Sequence, residues 1–448
     1  MVYPGPGAGT PHTVRGTVLA ALLRIMTLCL ALVMGAGQSL AAAEGPVLLF
    51  DPATGDVLSS ERAGEPWYPA SLTKLMTSYI VFRHLRAGSL KLDQPLTVSE
   101  LAASMPPSKI GVKAGKTVTT DFALQALLVY SANDMAYVLA EGTAGSKAAF
   151  VHEMNATAQA LGMTGTHFVN PNGLFEPRQI TTARDLALLV SALLREYPEH
   201  AHYFSQPDVA VGKRRLANRN SLIRQMPEAD GMKTGFVCNS GFNLVASATR
   251  NGHKLVAVIF GAKSGKARAD LAQQLLNAGL SQPALAGASK IANLANDPVG
   301  GIVPADMTAN VCRQKPVVTL VNAHDLKGWG ISFGQYETAQ KADMALRGRL
   351  LDTAGADAGG DSGVILMPGQ KTYSALLWNL GQQDSLSVCA QYRAAKAYCD
   401  VMTPETFEQI AALAPPPPPQ AQKPVAEGSD NAKPKAKPGK RKRKTFSN

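Results

Sequence analysis

Residues 240–262, "SGFNLVASATRNGHKLVAVIFGA", are two alternating apolar runs on either side of Asn251-Gly252. Asn-Gly is the pair favoured in a two-residue hairpin, because both positions need positive φ. A second hairpin signal stands far upstream. "PVLLFDPATGDVLSSE" (46–61) is an apolar run, a turn at Ala53-Thr54-Gly55-Asp56, and then Val57 and Leu58. Between the two the period changes. From Ser71 onward Leu72, Leu75, Met76, Tyr79, Ile80 and Phe82 share one broad helical face. Helical spacing continues through 121–142 and 147–162. It ends in "TTARDLALLVSALLREYP" (181–198), with threonines to cap it and Pro198 to stop it. Strands at both ends of 44–281 bracket a helical middle. The expected class is α/β (α+β): an antiparallel sheet built from both ends, with helices packed against it.

The chain has 448 residues, enough for two or three cores. Residues 282–325 have weak periodicity and read as a connector with one or two strands. Residues 326–405 read β-α-β-β-α-β, a small ferredoxin-like domain. Residues 406–448 are low-complexity: a proline run that favours a polyproline II stalk, then a basic end expected to be disordered. The net charge of +11 suggests a polyanion, but eight of those charges lie between Lys433 and Lys444, leaving about +3 for the rest. The body is near neutral, and no nucleic-acid role is expected for it. Residues 1–43 show the order of an export signal: Arg15 and Arg24, the apolar stretch 25–34, then small residues up to Ala41 and Ala43. That stretch is too short for a lasting bilayer span. A periplasmic or envelope-associated location is therefore expected.

The chemistry lies in three short motifs. "YPASLTKLMT" (68–77) holds Ser71 and Lys74 three positions apart. Alone it also reads as a helix start, with Ser71 as cap and Lys74 in solvent. A serine hydroxyl becomes a nucleophile when a base takes its proton. A lysine can do so only if burial or a neighbouring cation lowers its pKa. "YSANDMA" (130–136) adds Ser131 and Asn133, and "DGMKTGF" (230–236) adds Lys233-Thr234-Gly235. The order S-x-x-K, S-x-N, K-T-G is shared by penicillin-binding proteins and class A β-lactamases.

Residues 44–281 resemble the low-molecular-mass penicillin-binding proteins that are D-alanyl-D-alanine carboxypeptidases. "DPATGDVL", "TGTHFVNPNGL", "TTARDLALL" and "SGFNLVASATRNGHKLVAVIFGAKS" carry the resemblance beyond the three motifs. It implies a serine β-lactamase/transpeptidase-like sheet with a helical subdomain. It implies that Ser71 attacks the penultimate D-alanine, with Lys74 as base. Ser131 would relay a proton, tuned by Lys233, and Asn133 would hold the substrate amide and Lys74. Thr234 and Arg268 would grip the terminal carboxylate. The N–H groups of Ser71 and Phe236 would form the oxyanion hole, and Gly235 would leave room for substrate to lie along its strand. No metal or organic cofactor is implied, and penicillins would acylate Ser71. Two plainer readings stand beside these: Asn133 as a helix cap, and Arg268 as a surface charge. Rival activities are a D,D-endopeptidase using the same site, a β-lactamase and a non-catalytic wall-binding protein. Against the β-lactamase, no E-x-x-L-N stands between Ser131 and Lys233, and the triplet is Ser-Ala-Asn.

Residues 326–405 resemble a sporulation-related repeat (SPOR) domain, through "GWGISFGQYETAQKAD" and "SLSVCAQYRAAKAYCDVM". The resemblance implies a sheet face that binds peptidoglycan glycan strands. Trp329, Phe333 and Tyr336 are candidate contacts or core residues. Cys389 and Cys399, at opposite ends of the second helix and the strand after it, could meet as a disulfide in an exported domain. The basic tail is either a solvated end or a contact for an anionic wall polymer or lipid surface.

Overall fold

The computed structural model describes residues 43–282, 288–298, 303–312, 318, 320–351 and 359–416. The export signal expected over 1–43 lies outside them apart from Ala43, and so does the basic tail. Among the described residues no helix is long and apolar enough to cross a membrane.

The first unit is a five-stranded sheet. β1 (Val47–Phe50) and β2 (Val57–Glu61) form the early hairpin. A 3-10 turn, Ala70–Thr73, leads into α1 (Lys74–Arg86), followed by α2 (Asn133–Ala144), α3 (Lys147–Ala160) and α4 (Ala183–Glu196). β3 (Ala229–Val237), β4 (Gly241–Arg250), β5 (His253–Ala262) and α5 (Gly265–Leu280) close the unit. The order across the sheet is β2-β1-β5-β4-β3, antiparallel throughout, so strands from the two ends of the unit meet at the β1–β5 pair. Asn251 and Gly252 both have positive φ, as their hairpin turn requires.

Both faces are covered. Along β5, Leu255, Ala257 and Ile259 pack with Leu271, Leu275 and Leu276 of α5. The alternate residues Val256, Val258 and Phe260 join the larger core of α1, α2 and α4 on the other face. Thr182 caps α4 by accepting a hydrogen bond from the Asp185 N–H at 3.0 Å.

The described part of 282–325 contains isolated bridges rather than strands: Lys290 pairs with Asp56 and Leu320 with Val364. A disulfide, Cys238–Cys312, ties this segment to the end of β3.

The second unit comprises β6 (Trp329–Tyr336), α6 (Ala339–Leu351), β7 (Asp361–Leu366), β8 (Tyr373–Leu380), α7 (Gln382–Ala394), β9 (Asp400–Met402) and α8 (Pro404–Leu413). Its sheet order, β7-β8-β6-β9, is that of a ferredoxin-like βαββαβ fold. Cys389 and Cys399 are bonded.

Two expectations change here. The low-complexity tail does not begin at 406, because α8 occupies 404–413 with Thr403 as its cap. Nor does the sheet keep an open face. α6 and α7 cover one side, where Phe333 is 1% exposed in the core. Phe407 and Ile410 of α8 cover the other, against Leu376, Trp378 and Met402. A Cβ on Gly330 would stand 2.6 Å from the Phe407 ring, so the glycine lets α8 seat directly on β6.

Candidate active site

Ser71 lies on the 3-10 turn that precedes α1 and Lys74 begins the helix. In a 3-10 turn residues i and i+3 eclipse, which stacks these two side chains. Lys74 Nζ is 2.9 Å from Ser71 Oγ. Ser71 does not cap the helix: the N-cap position of α1 is Thr73 and that of the 3-10 turn is Pro69, and neither makes a side-chain cap.

Lys74 is fully buried. Its Nζ also reaches Asn133 Oδ1 at 2.9 Å and the Asn172 carbonyl oxygen at 2.5 Å. Burial lowers its pKa to about 7, while the charge of Asp134 opposes that shift. These three partners are a hydroxyl, an amide oxygen and a backbone carbonyl, none of them a carboxylate, so a substantial neutral fraction exists at physiological pH.

Asn133 is the first residue of α2, and its side chain makes no cap. Its Oδ1 accepts from Lys74, and its Nδ2 donates to the Pro106 carbonyl at 3.1 Å. Ser131 sits just before it in the left-handed region, φ 66°, at the end of a π-helical turn over Ala126–Tyr130. A non-glycine residue held there is strained. The conformation aims the hydroxyl at Lys233, whose Nζ lies 2.9 Å from Ser131 Oγ and donates to the Thr234 carbonyl at 2.9 Å. Burial lowers the pKa of Lys233, with further lowering from the charges of Lys74, Arg268 and Arg219. Two hydroxyls thus each face a desolvated amine.

A cleft of about 640 Å³ opens over this pair, lined by Ser71, Ser131, Asn133, Thr234, Phe236 and Arg268, among others. Arg268 reaches it from α5. Its guanidinium donates to the Gly235 and Asn243 carbonyls, both at 3.1 Å, and lies 5.6 Å from the Phe242 ring centroid. Burial brings its pKa down to about 10, which leaves it charged at neutral pH. It is not a free surface charge.

Gly235 has a packing role as well as a place at the cleft. A Cβ there would meet the Pro69 carbonyl oxygen at 2.9 Å and the Ala70 Cβ at 3.3 Å. The missing side chain lets β3 approach the Ser71 turn, and Gly235 also lines the cleft. Gly173 does the same from another side, with φ +82° and a built Cβ only 1.9 Å from the Ala70 carbonyl oxygen.

Three contributors were not singled out in the sequence. The Asn172 carbonyl holds Lys74, and a backbone oxygen leaves no mark in residue identity. The Asp134 carboxylate accepts from the Ile110 and Gly111 N–H groups at 3.0 and 2.8 Å, which fixes the loop over the cleft. Arg219 lines the cleft 4.2 Å from the Tyr130 ring centroid and donates to Ser108 Oγ at 3.2 Å. Both of the first two lie in quoted stretches, Asn172 in "TGTHFVNPNGL", which carries the family resemblance, and Asp134 in "YSANDMA", where Ser131 and Asn133 drew the attention. Among the described residues no group of three or more His, Cys, Asp or Glu could hold a metal ion.

The family model described as D-alanyl-D-alanine carboxypeptidase matches residues 34–264. D-alanyl-D-alanine carboxypeptidase DacC of Escherichia coli K12 is 39% identical over 239 residues, covering 52% of this chain and 60% of that protein. The D-alanyl-D-alanine endopeptidase of Pseudomonas aeruginosa is 35% identical over 218 residues, covering 47% of this chain and 68% of its own. Among solved structures, penicillin-binding protein 5 from Haemophilus influenzae aligns with a TM-score of 0.52 at 34% identity, covering 54% of this chain and 71% of that one. The carboxypeptidase DacD from Francisella tularensis aligns with a TM-score of 0.53 at 32% identity, over 55% and 72%. The chain spans about 60% of the length of the carboxypeptidase DacC.

Proposed function

The chain belongs to the D-alanyl-D-alanine carboxypeptidase family, and from that premise we propose that it is a serine D,D-carboxypeptidase that removes the terminal D-alanine from peptidoglycan stem pentapeptides. The observation that carries this reading is the pairing of Ser71 with Lys74 and of Ser131 with Lys233, both at 2.9 Å. Neutral Lys74 takes the proton of Ser71 as Oγ attacks the penultimate D-alanine carbonyl. The N–H groups of Ser71 and Phe236 receive the oxyanion. Ser131, held by Lys233, hands a proton to the departing D-alanine amine. Asn133 keeps Lys74 in place and holds the substrate amide. Thr234 and Arg268 hold the terminal carboxylate. Water then cleaves the acyl-enzyme. A penicillin acylates Ser71 in the same way but leaves slowly.

The endopeptidase reading shares every residue and is favoured by one observation, the Pseudomonas relative of that name. Mass spectrometry of peptidoglycan fragments separates the two. Loss of one D-alanine from pentapeptides marks the carboxypeptidase, and cleavage of cross-linked dimers the endopeptidase. Labelled penicillin provides the second test. Folded wild-type protein that takes up no more label than Ser71→Ala protein would sink the enzyme reading and leave a wall-binding protein.

The proposal extends to export, to residence in the periplasm or envelope, and to attachment of the second unit to glycan. Because α8 and the α6–α7 pair cover the two faces of its sheet, glycan must displace α8 or use other surface. Full-length Ser71→Ala protein that is not retained by glycan stripped of peptide would end that part of the reading. For the basic tail, an anionic wall polymer or lipid surface is the proposed contact.

A further inference from the structure

The contact between the two units converges on Arg347 of α6. Its side chain, 12% exposed, lies 3.3 Å from the Asp306 carboxylate and 2.8 Å from that of Asp343. Its Nη1 also donates to the Tyr68 hydroxyl at 3.5 Å, and the guanidinium stands 5.0 Å from the Phe175 ring centroid. Tyr68 and Phe175 meet edge to face, with centroids 5.1 Å apart.

These two aromatics mark the outer ends of the segments that build the reacting pair. Tyr68 is three residues before Ser71, and its carbonyl accepts from Asn243 Nδ2 on β4. Phe175 is three residues after Asn172, whose carbonyl holds Lys74. Between them Gly173 is pressed against Ala70. Asp306 in turn accepts from Asn239 at 2.9 Å, next to Cys238 at the end of β3. One planar cation therefore joins the segment of Ser71, the segment that anchors Lys74 and the segment beyond the K-T-G strand. A guanidinium is suited to such a junction, because it bonds carboxylates in its plane and stacks on a ring with its face.

We propose that Arg347 is a positioning residue for the reaction, through which the second unit holds Ser71 and Lys74 at their working distance. The proposal rests on the carboxypeptidase reading above. Without Arg347 the carboxylates of Asp306 and Asp343 face each other uncompensated. The Tyr68–Phe175 pair loses its outer support, and the Asn172 carbonyl is freed to drift from Lys74.

The deciding experiment is acylation of the full-length protein by a labelled penicillin, resolved into a pre-acylation dissociation constant and a saturating rate constant. Arg347→Met should lower the rate constant about tenfold or more, since displacements near 1 Å cost that much, while the dissociation constant changes less than about twofold. Arg347→Lys should recover part of the loss, and Lys341→Ala, exposed on the same helix, should leave the wild-type rate constant unchanged. Water reaching Lys74 should also move the rising limb of the acylation–pH profile upward, which a general loss of stability would not do. A wild-type rate constant and pH profile in folded Arg347→Met overturn the proposal. If that variant does not fold, Arg347→Lys and Asp306→Asn decide by the same criterion. Absence of acylation in the wild type would instead refute the carboxypeptidase reading.

Discussion

The Nζ of Lys74 stands 2.5 Å from the carbonyl oxygen of Asn172, so the amine that faces Ser71 is anchored by the backbone of a loop about a hundred residues away. That oxygen can only accept, and it holds an N–H of Lys74 in either protonation state. The amine keeps its place when it loses its charge, and its remaining lone pair can turn to the serine.

The pH dependence of acylation follows. Lys74 has its pKa lowered to about 7 by burial. In the proposed mechanism the neutral form is the base, and its fraction grows as pH rises through that value. The acylation rate at fixed penicillin should therefore rise from about pH 5.5 to about 8 and be half-maximal near 7. A rate that falls over this interval would contradict Lys74 as the base.

Asp134 gives a signed test of the same electrostatics, because its charge raises the Lys74 pKa. In Asp134→Asn the rising limb should shift to lower pH. The variant should also lose stability by roughly 2 kcal/mol, because an amide cannot accept at both oxygen positions from the Ile110, Gly111 and Met135 N–H groups. Denaturant unfolding and the acylation profile measure the two effects separately.

Gly173→Ala should abolish acylation. Its Cβ would fall 1.9 Å from the Ala70 carbonyl oxygen, at a φ of +82°. Backbone cannot yield that far without moving the Ser71 turn. The strain in φ alone should cost on the order of 1–3 kcal/mol. A soluble variant acylated at the wild-type rate would show that the loop is not pressed on the turn.

Much of this was legible because it is written in side chains. The unbroken apolar run from Leu255 to Phe260 fits a strand buried on both faces, and Asn251-Gly252 names its own turn. Ser71, Lys74, Ser131, Asn133 and Lys233 stand out by type and order, which is why geometry could be sought among them. What stayed hidden is written in the backbone or in packing. The carbonyl of Asn172 has no sequence signal. The packing role of Gly235 comes from the proximity of Pro69, a contact between segments far apart in the chain. α8 was concealed by its neighbours: Pro404 and the proline run after Ala414 made a ten-residue helix look like the start of a polymer tail.

Phe407→Ala should lower the stability of the second unit by about 3–5 kcal/mol, the usual cost of emptying a buried aromatic site. Gly330→Ala should do similar damage from the opposite side, since its Cβ collides with the same ring. Trp378 lies in that cluster, and its fluorescence during denaturant unfolding reports both. If neither variant changes the transition, α8 is not part of the folded unit.

The seat of α8 also decides how the molecule bears load. α6 faces the catalytic unit through Arg347, whereas α8 lies on the opposite side of the sheet, and the described chain leaves from its end, where the Pro415 carbonyl pairs with His324. A pull applied beyond Pro416 passes first into α8, then through Phe407 into β6, and only afterwards across the sheet to Arg347. Tension on the far end would thus be spent in peeling one amphipathic helix before it could disturb the spacing of Ser71 and Lys74.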